Sequence, residues 1–210
     1  MRKPNVEERR AEILETTIQV VIERGFGAIR IVDVADRLGV STGLIHYHFD
    51  SKEQLLAEAF QFAAEADLAR LNDAIDQGGS AVDRLTRVFN LYAQVEAEPG
   101  WMLWIDGWGE ALRSDTLRRI SQDLDAAWQQ QLEKLIAQGV TTGELRCSDP
   151  HATAWRLVAL LDGLGLQVTV HGGLLTRQEL LHWVHDLAAR ELGLPAGAFA
   201  GAEITARQAR

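Results

Sequence analysis

Apolar residues recur every three or four positions along most of the chain, and no segment alternates convincingly between apolar and polar residues. A period of about 3.6 is typical of amphipathic helices, whereas half-buried strands alternate with a period of two. Glycine, proline and short polar clusters interrupt the pattern, and helices typically end at such residues. The pattern therefore predicts an all-α protein.

Breaks in this pattern divide the chain into about nine predicted helices. The first apolar stripe ends at Gly25, and Gly39 separates the next two short helices. Ser51 and Gln54 have the spacing of a capping box, which opens a long fourth helix that we expect to end near Asp76. Beyond the first, the predicted helices cover about 31–38, 42–49, 51–76, 80–92, 101–112, 114–138, 150–170 and 176–192.

These helices are expected to form two domains followed by a tail. Residues 1–50 are predicted to be a three-helix domain with a helix-turn-helix, and residues 51–194 a larger helical domain. The segment 195–210 is polar and rich in alanine and glycine, so we expect it to be disordered.

The composition fits a globular protein of the cytoplasm. With 47% hydrophobic and 24% charged residues, the chain can bury a core and is not a disordered polyelectrolyte. A single cysteine, Cys147, allows no internal disulfide and no cysteine-based metal site. The polar N-terminus has no apolar region typical of a signal peptide, and no apolar run approaches the roughly 20 residues of a membrane span. We therefore expect a cytoplasmic protein with no membrane partner.

The net charge of −9 is unevenly distributed. Residues 1–56 hold eight Lys or Arg and nine Asp or Glu, so most of the acidic excess lies in the rest of the chain. A near-neutral N-terminal part permits nucleic-acid binding but does not by itself indicate it.

The most informative motif runs from Ile31 to Phe49. Two short helices joined by a tight turn that contains glycine form a helix-turn-helix. Gly39 can adopt the positive φ that ends a helix, and Ser41 can cap the next one. Ile45 and Phe49 are four residues apart and should both point inward. The residues left facing outward are Thr42, Gly43, Leu44, His46, Tyr47 and His48.

The segment 39–49, followed by Ser51-Lys52-Glu53 and Leu55-Leu56, resembles the TetR family of bacterial repressors. Within that family it looks most like the branch that contains the choline-responsive betaine regulators. The resemblance is detailed over about residues 9–56, and beyond them the helix count, lengths and order are similar to those of a nine-helix TetR-type subunit. It implies a repressor, not an enzyme, that binds a double-stranded DNA operator and is released by a small-molecule effector.

The resemblance also implies which residues contact DNA: Arg30, Ser41, Thr42, Gly43, His46, Tyr47, His48 and Lys52. The third helix would enter the major groove, and Lys52 would bind a phosphate. Tyr47 and His48 can each donate to a phosphate or read a base edge. Two positions depart from the family pattern. His46 stands where the family usually has Tyr, and Arg30, a poor cap, stands where it usually has Thr or Ser but can hold the same phosphate by charge.

The family resemblance implies a homodimer formed by the last two helices of each subunit. The apolar faces expected to pair are those of Leu157, Leu160, Leu161, Leu164, Val168, Leu180, Val184 and Leu187. The alternative is that these residues belong to the core of one subunit. A two-fold dimer would place its two helix-turn-helix domains, here called heads, about 34–36 Å apart, which matches the half-site spacing of a pseudo-palindromic operator.

An effector pocket is implied among the middle helices, where five of the six tryptophans lie. The residues expected to line it are Phe89, Tyr92, Trp101, Trp104, Asp106, Trp108, Trp128 and Trp155. Aromatic walls with one carboxylate suit an organic cation such as a quaternary ammonium or polyamine-like compound. A planar aromatic ligand fits as well, and the alternative to a pocket is an ordinary aromatic core.

Other constellations carry weaker signals. His182 and His185 are three residues apart, but no acid or cysteine completes a metal site, so neither a metal nor a cofactor is expected. Cys147 has no resolving cysteine, which disfavours a redox sensor. Asp106 and Glu110 are neighbouring acids on one helix, which is commonplace. Two competing functions stay open: a helical enzyme or ligand carrier without a DNA role, and an activator or nucleoid-type protein of the same fold.

Overall fold

The structure is a computed structural model that describes residues 5–93 and 100–199. Within these ranges the chain forms nine α-helices and no strand, so the prediction of an all-α protein is confirmed. The helices are α1 (Val6–Arg24), α2 (Ile31–Leu38), α3 (Thr42–His48), α4 (Lys52–Asp76), α5 (Ala81–Tyr92), α6 (Gly100–Ala111), α7 (Asp115–Thr142), α8 (Pro150–Val170) and α9 (Arg177–Glu191).

Local capping explains where several helices begin. The side chains of Asn5, Ser80 and Thr176 each accept a hydrogen bond from the backbone N–H three residues later, in complete capping boxes. At the start of α4, Ser51 Oγ accepts from the backbone N–H of Gln54 at 3.0 Å. Gln54 Oε1 in turn accepts from the N–H of Asp50, one residue earlier than the predicted box requires.

The described residues form two compact units. The first contains the residues up to Asp67 together with Met102–Leu124, so it holds α1 to α3, most of α4, most of α6 and the beginning of α7. Its core brings together residues from all of these elements. The fully buried members are Ile13, Val34, Ile45 and Phe60, each 0% exposed. The predicted boundary between residues 50 and 51 stays a prediction, since compactness divides the chain differently.

The second unit contains the described residues of Leu68–Trp101 and those from Asp125 onward. Here α8 and α9 pack against each other, and α5 packs against both. Leu85 of α5, Leu157 of α8 and Val184 of α9 are each 0% exposed. This three-helix contact and the buried residues Leu135 and Ile136 of α7 form the core of the unit.

The chain segment after α9 differs from the prediction of a disordered tail. Residues 195–199 form a turn whose last residue, Phe199, is only 1% exposed. The Phe199 ring stacks on His185 and meets Phe89 edge-on, with ring centroids 5.2 and 5.6 Å apart. One large apolar side chain is enough to hold this short segment against α5 and α9. The remainder of the predicted tail, 200–210, lies outside the described residues.

No helix in the described part of the chain is long and apolar enough to span a lipid bilayer.

Candidate DNA-binding surface and effector site

The turn between α2 and α3 is a Schellman motif. Gly39 adopts the left-handed conformation, with φ 70° and ψ 35°. Its N–H donates to the carbonyl of Asp36 at 3.2 Å, and the N–H of Val40 donates to the carbonyl of Ala35 at 3.0 Å. Glycine adopts this conformation without the steric cost that a Cβ would add. The turn thus ends α2 sharply and allows α3 to start three residues later.

The α3 helix has one buried and one exposed face. Ile45 and Phe49 are 0% and 1% exposed, which confirms that they point inward, and Ser41 Oγ caps the helix by accepting from the N–H of Leu44 at 3.3 Å. Tyr47 is 74% exposed. The other predicted contact residues that are exposed are Ser41, Thr42, Gly43 and His46, while His48 is half-buried. The exposed face therefore presents a hydroxyl, an imidazole and a phenol side by side.

Arg10 of α1 fixes the C-terminal end of α3. Its Nη1 donates to the carbonyl of His48 at 2.6 Å, and its guanidinium lies 4.3 Å from the centre of the Phe49 ring. The same guanidinium forms an ion pair with Glu58 of α4. Because one side chain binds both neighbouring elements, the exposed face of α3 is held on a rigid support.

Arg30 occupies the N-cap position of α2 but does not cap the helix with its own side chain. Asp33 supplies the cap instead, because its Oδ2 accepts from the backbone N–H of Arg30 at 2.9 Å. Hydrogen bonds from Arg30 are the largest influence holding the pKa of the Asp33 carboxyl at about 2, with a further contribution from the charge of Arg24. Asp33 is therefore ionised throughout the physiological pH range.

The remaining predicted DNA contacts lie close in sequence to α3. Lys52 is half-buried and is the first residue of α4. The Tyr47 and His48 rings meet edge-on with centroids 5.1 Å apart. All eight predicted DNA-binding residues belong to the first unit.

An acidic aromatic cluster lies in the second unit. The Tyr92 ring meets the rings of Trp128 and Trp101 with centroids 5.1 and 5.5 Å apart, at interplanar angles of 87° and 64°. The Tyr92 hydroxyl donates a hydrogen bond to Asp162 Oδ1 of α8. The indole N–H of Trp101 donates to the carbonyl of Tyr92 at 3.2 Å. We call Tyr92, Trp101, Trp128 and Asp162 the Asp162 cluster.

The carboxyl of Asp162 is in an unusual electrostatic position. Its pKa is raised to about 6, chiefly because burial removes water from the ionised form. The hydrogen bond from Tyr92 opposes this shift, whereas the negative charge of Asp125 adds to it. No Lys, Arg or His in the described ranges forms an ion pair with Asp162. Within residues 5–93 and 100–199, the cluster therefore holds negative charge that no cationic side chain neutralises.

Gly165 lets α8 approach Trp101 closely. A Cβ at this position would lie 2.2 Å from Cζ2 of the Trp101 indole, far inside van der Waals contact. Trp101 itself is only 9% exposed. The missing side chain at position 165 thus makes the room that the indole occupies, one turn from Asp162.

The structure brings together only some of the eight residues predicted to line the effector pocket. Tyr92, Trp101 and Trp128 meet in the Asp162 cluster. Phe89 is fully buried and packs against His185 and Phe199. The indole of Trp155 is 48% exposed on α8. The other three residues, Trp104, Asp106 and Trp108, belong to the first unit.

Asp106 has a different role from the one predicted. Its Oδ2 accepts a hydrogen bond from the backbone N–H of Phe26 at 2.6 Å, in the segment between α1 and α2. Trp104 packs against Phe60, with ring centroids 5.0 Å apart. Both side chains therefore stabilise the first unit, and Asp162 takes the place of Asp106 as the acid beside the aromatic rings. The sequence signal for Asp162 was present, since it is the one acid in the apolar run from Leu157 to Val170.

The helix faces predicted to form the dimer mostly pack within the subunit. Five of the eight residues are buried against their own chain, namely Leu157, Leu161, Val168, Leu180 and Val184. Leu160, Leu164 and Leu187 are half-buried. Other large apolar side chains of α8 and α9 are exposed instead: Trp155 and Trp183 are each 48% exposed, and Val170 is 51% exposed. We call Trp155, Gly163, Val170 and Trp183 the exposed α8–α9 face.

The remaining candidate groups are engaged locally. Cys147 Sγ lies 3.3 Å from the hydroxyl of Thr153. His151 Nδ1 lies 2.8 Å from a carboxylate oxygen of Glu133. Among the residues that the structure describes, no group of three or more His, Cys, Asp or Glu has an arrangement that could hold a metal ion.

Comparison with known proteins identifies both parts of the chain. Residues 13–59 match the family model of bacterial regulatory proteins of the tetR family. Residues 81–193 match the model of the BetI-type transcriptional repressor C-terminal domain. The first match includes the whole helix-turn-helix, and the second includes the Asp162 cluster and the exposed α8–α9 face.

Individual relatives agree with these matches. The HTH-type transcriptional regulator BetI of Pseudomonas aeruginosa is 25% identical over 197 residues, covering 90% of this chain and 95% of the relative. The HTH-type transcriptional repressor KstR2 of Mycobacterium tuberculosis is 24% identical over 83% of this chain and 88% of its own length.

A solved structure is also similar over most of the fold. A transcriptional regulator from Saccharomonospora viridis, crystallised in complex with choline, superposes with a TM-score of 0.82 at 30% identity. The match covers 89% of this chain and 98% of that one. These relatives are transcriptional regulators and not enzymes. The chain therefore belongs to the TetR family, and it is a ligand-responsive DNA-binding repressor.

Proposed function

We propose that the effector of this repressor is an organic cation, and that it binds at the Asp162 cluster. The observation that carries the proposal is the partly buried carboxylate of Asp162, which lies beside aromatic rings and pairs with no cationic side chain among the described residues. Burying a carboxylate without a cation costs free energy, and a bound cation would remove much of that cost. The unfavourable carboxylate of Asp162 has a function if a ligand supplies the positive charge that pairs with it.

The ring arrangement favours a cation that carries methyl groups over one with several N–H groups. The Tyr92 and Trp128 rings are in contact and almost perpendicular, at 87°, so the cluster presents aromatic faces in two directions. A quaternary ammonium is attracted to aromatic faces and needs no hydrogen-bond acceptors. The similar Saccharomonospora viridis regulator was crystallised with choline, a quaternary ammonium alcohol, which supports this ligand class.

The proposal is tested by comparing choline with 3,3-dimethyl-1-butanol, its neutral analogue of nearly identical shape. Isothermal titration calorimetry on the full chain at pH 7.5 should give a dissociation constant for the neutral analogue about 30-fold weaker or more. The reason is that a desolvated cation–π contact contributes about 2 kcal/mol or more. Equal affinity for the two compounds would exclude recognition of the positive charge.

We also propose that the repressor acts as a homodimer that pairs through the exposed α8–α9 face. Two large aromatic side chains, Trp155 and Trp183, are half exposed along neighbouring helices of one subunit. At Gly163, a Cβ would meet no atom within 4 Å, so another backbone could approach closely. Exposed apolar stripes of this kind are commonly covered in an oligomer.

The dimer proposal has a direct test by size-exclusion chromatography with light scattering. Replacement of Trp183 by Glu should convert the particle from about 47 kDa to the 23.3 kDa of one chain, because a charge would be buried in the interface. Gln178→Glu, which introduces the same charge at an exposed position of the same helix, is a control for general effects on α9. A Trp183→Glu protein of unchanged mass would assign the dimer to another surface.

Each head of the dimer would use the exposed face of α3 in the major groove. Thr42, Gly43, His46 and Tyr47 would lie along the base edges, with His48 and Ser41 at the ends of the helix. Lys52 and Arg30 would contact phosphates. Two heads related by a two-fold axis fit a pseudo-palindromic operator. Effector binding would favour a dimer in which the spacing of the heads no longer matches the operator half-sites. A tenfold release of DNA requires only about 1.4 kcal/mol of differential binding.

Selection of bound sequences from random duplex DNA tests the role of α3. The wild-type protein should enrich a two-fold symmetric motif, whereas Tyr47→Ala should enrich none, since Tyr47 is the most exposed aromatic side chain of the helix. Light scattering on the same variant checks that its oligomeric state is retained. Recovery of an unchanged motif would overturn the assignment of Tyr47.

A further inference from the structure

Two arginines in the first unit share one carboxylate. Arg24, in the last turn of α1, donates from Nη1 to Asp33 Oδ1 at 3.0 Å. Arg30 donates from Nη2 to the same oxygen at 2.9 Å and from Nε to Oδ2 at 3.2 Å. The Asp33 side chain is 5% exposed, whereas the side chains of Arg24 and Arg30 are 51% and 70% exposed. Two guanidiniums therefore meet at the surface over one buried acid.

Two arginines to one acid is a different ratio from that of the other arginines in α1 and α2. Arg9, Arg10 and Arg37 each form an ion pair with one glutamate: Glu12, Glu58 and Glu23 respectively. In the described part of the chain, Arg24 and Arg30 both form their ion pair with Asp33 alone. Asp36, one turn further along α2, adds a weaker attraction to Arg30. The pair thus keeps positive charge that the bonded carboxylate does not cancel.

We propose that Arg24 and Arg30 jointly bind one phosphate of the DNA backbone, and that Asp33 orients them. This proposal rests on the DNA-binding role of the first unit, and it adds Arg24 as a contact and Asp33 as a positioning residue. Among the described residues, no hydrogen bond engages Arg30 Nη1 or Arg24 Nη2, and both side chains are more than half exposed. Holding two flexible side chains in place before binding removes part of the entropy cost of forming the contact.

The location of the pair fits contact with the backbone and not with bases. Arg30 directly precedes α2, the first helix of the helix-turn-helix, and in this motif the first helix crosses the DNA backbone. Guanidiniums bind phosphate oxygens through two N–H groups at once, which a lysine cannot do. Since Asp33 has a pKa of about 2, the arrangement persists at any pH at which DNA binding is measured.

The experiment uses a fluorescein-labelled 30-base-pair duplex of random sequence as the probe and follows its anisotropy from 50 to 200 mM KCl. Loss of one phosphate contact lowers the slope of log Kd against log salt by about 0.9. The double variant Arg24→Gln/Arg30→Gln should lose about this much slope per head. Arg113→Gln, which removes an exposed arginine that donates to the carbonyl of Gly109, should keep the wild-type slope.

The single variants test whether the two arginines act on the same phosphate. Arg24→Gln and Arg30→Gln should each weaken binding several-fold, and the second substitution should cost less when the first is already present. Fully additive losses would show separate contacts, and an unchanged slope in the double variant would refute the phosphate site. If the wild-type protein itself failed to bind the duplex, the DNA-binding role would fail instead.

Asp33→Asn distinguishes orientation from simple charge. The substitution removes a negative charge, so a purely electrostatic account expects tighter binding to DNA. If Asp33 orients the two arginines, the variant should bind several-fold more weakly despite its more positive head. Asparagine can still accept from the N–H of Arg30, and thermal unfolding by circular dichroism checks that α2 is retained. Tighter binding by a folded variant would refute the positioning role.

Discussion

Asp33 and Asp162 are both largely shielded from solvent, yet their pKa values shift in opposite directions. Asp33 receives hydrogen bonds from two guanidiniums and one backbone N–H, and its pKa falls to about 2. Asp162 receives one hydrogen bond from Tyr92, has Asp125 as its charged neighbour, and its pKa rises to about 6. The first acid is neutralised within the first unit, whereas the second forms no ion pair with a cationic side chain in the described part of the chain.

Under the proposed function, this contrast separates the DNA-binding unit, which keeps a fixed surface, from the Asp162 cluster, which responds to the effector. A pair of charges satisfied within the chain gives the DNA-binding unit a fixed surface whether or not effector is present. A charge satisfied only by a ligand makes the stability of the second unit depend on that ligand. Functional sites commonly retain such unfavourable groups at some cost in stability.

The largest effect that tests this contrast is on effector affinity. Asp162→Asn should weaken choline binding about 100-fold, because loss of one partner from a desolvated charge pair costs roughly 2–5 kcal/mol. Asp33→Asn should leave the choline dissociation constant unchanged. Calorimetry at pH 7.5 measures both, with Asp123→Asn, at an exposed position of α7, as the control. A similar loss in the Asp33 and Asp162 variants would abolish the distinction.

A smaller effect is expected from pH. Since the pKa of Asp162 is about 6, this carboxyl must lose its proton before it can pair with a cation. Choline affinity should therefore fall about tenfold between pH 7.5 and pH 5, with proton release on binding at the lower pH. Asp162→Asn should show little pH dependence over this range. A flat wild-type profile would place the cation away from Asp162.

A further effect concerns stability without ligand. The folded pKa of Asp162 lies above its ordinary value of 3.8, so the folded protein binds the proton more tightly and loses stability as pH rises from about 4 to above 6. Asp162→Asn should remove this penalty and raise the free energy of unfolding by about 2 kcal/mol at pH 7.5. Urea unfolding at pH 7.5 and pH 4 measures the difference, which should nearly vanish at the lower pH.

The smallest expected effect is the opposite one at Asp33. Its folded pKa lies below the ordinary value, so its contribution to stability is present above about pH 4 and is lost as pH falls toward 2. Asp33→Asn should therefore lower the unfolding midpoint at pH 7.5, and the gap to wild type should close in acid. An increase in the midpoint would mean that Asp33 is not neutralised by Arg24 and Arg30.

The parts of the fold that the sequence predicted best are those determined by local signals. Gly39 and Ser41 predicted the turn because their conformation and capping depend on residues within one helical turn. The same holds for the start of α8 at Pro150 and for its end at Val170, both of which match the prediction. The family resemblance then supplied the function, through side chains close together in the chain.

The predicted groupings that the structure does not reproduce depended on which distant residues meet. Asp106 lies between Trp104 and Trp108 in the sequence, and Asp162 lies on the same helix as Trp155. Only tertiary packing determines that Asp162 contacts Tyr92, 70 residues away. Likewise, α8 carries two apolar stripes, and the period of the sequence does not say which one the subunit buries. Phe199 was missed because a single apolar residue in an Ala/Gly-rich segment carries no period at all.

The close approach of Gly165 to Trp101 means that the side chains tolerated at these two positions depend on each other. Because a Cβ at residue 165 would overlap the indole, any larger residue there requires a smaller one at 101. If the inducer binds at the Asp162 cluster, as proposed, a larger residue at position 165 of α8 can be introduced only together with a smaller one at position 101 of α6. Libraries that vary both codons together should reach new inducers that single-site libraries miss, which makes the pair a practical starting point for building a biosensor from this repressor.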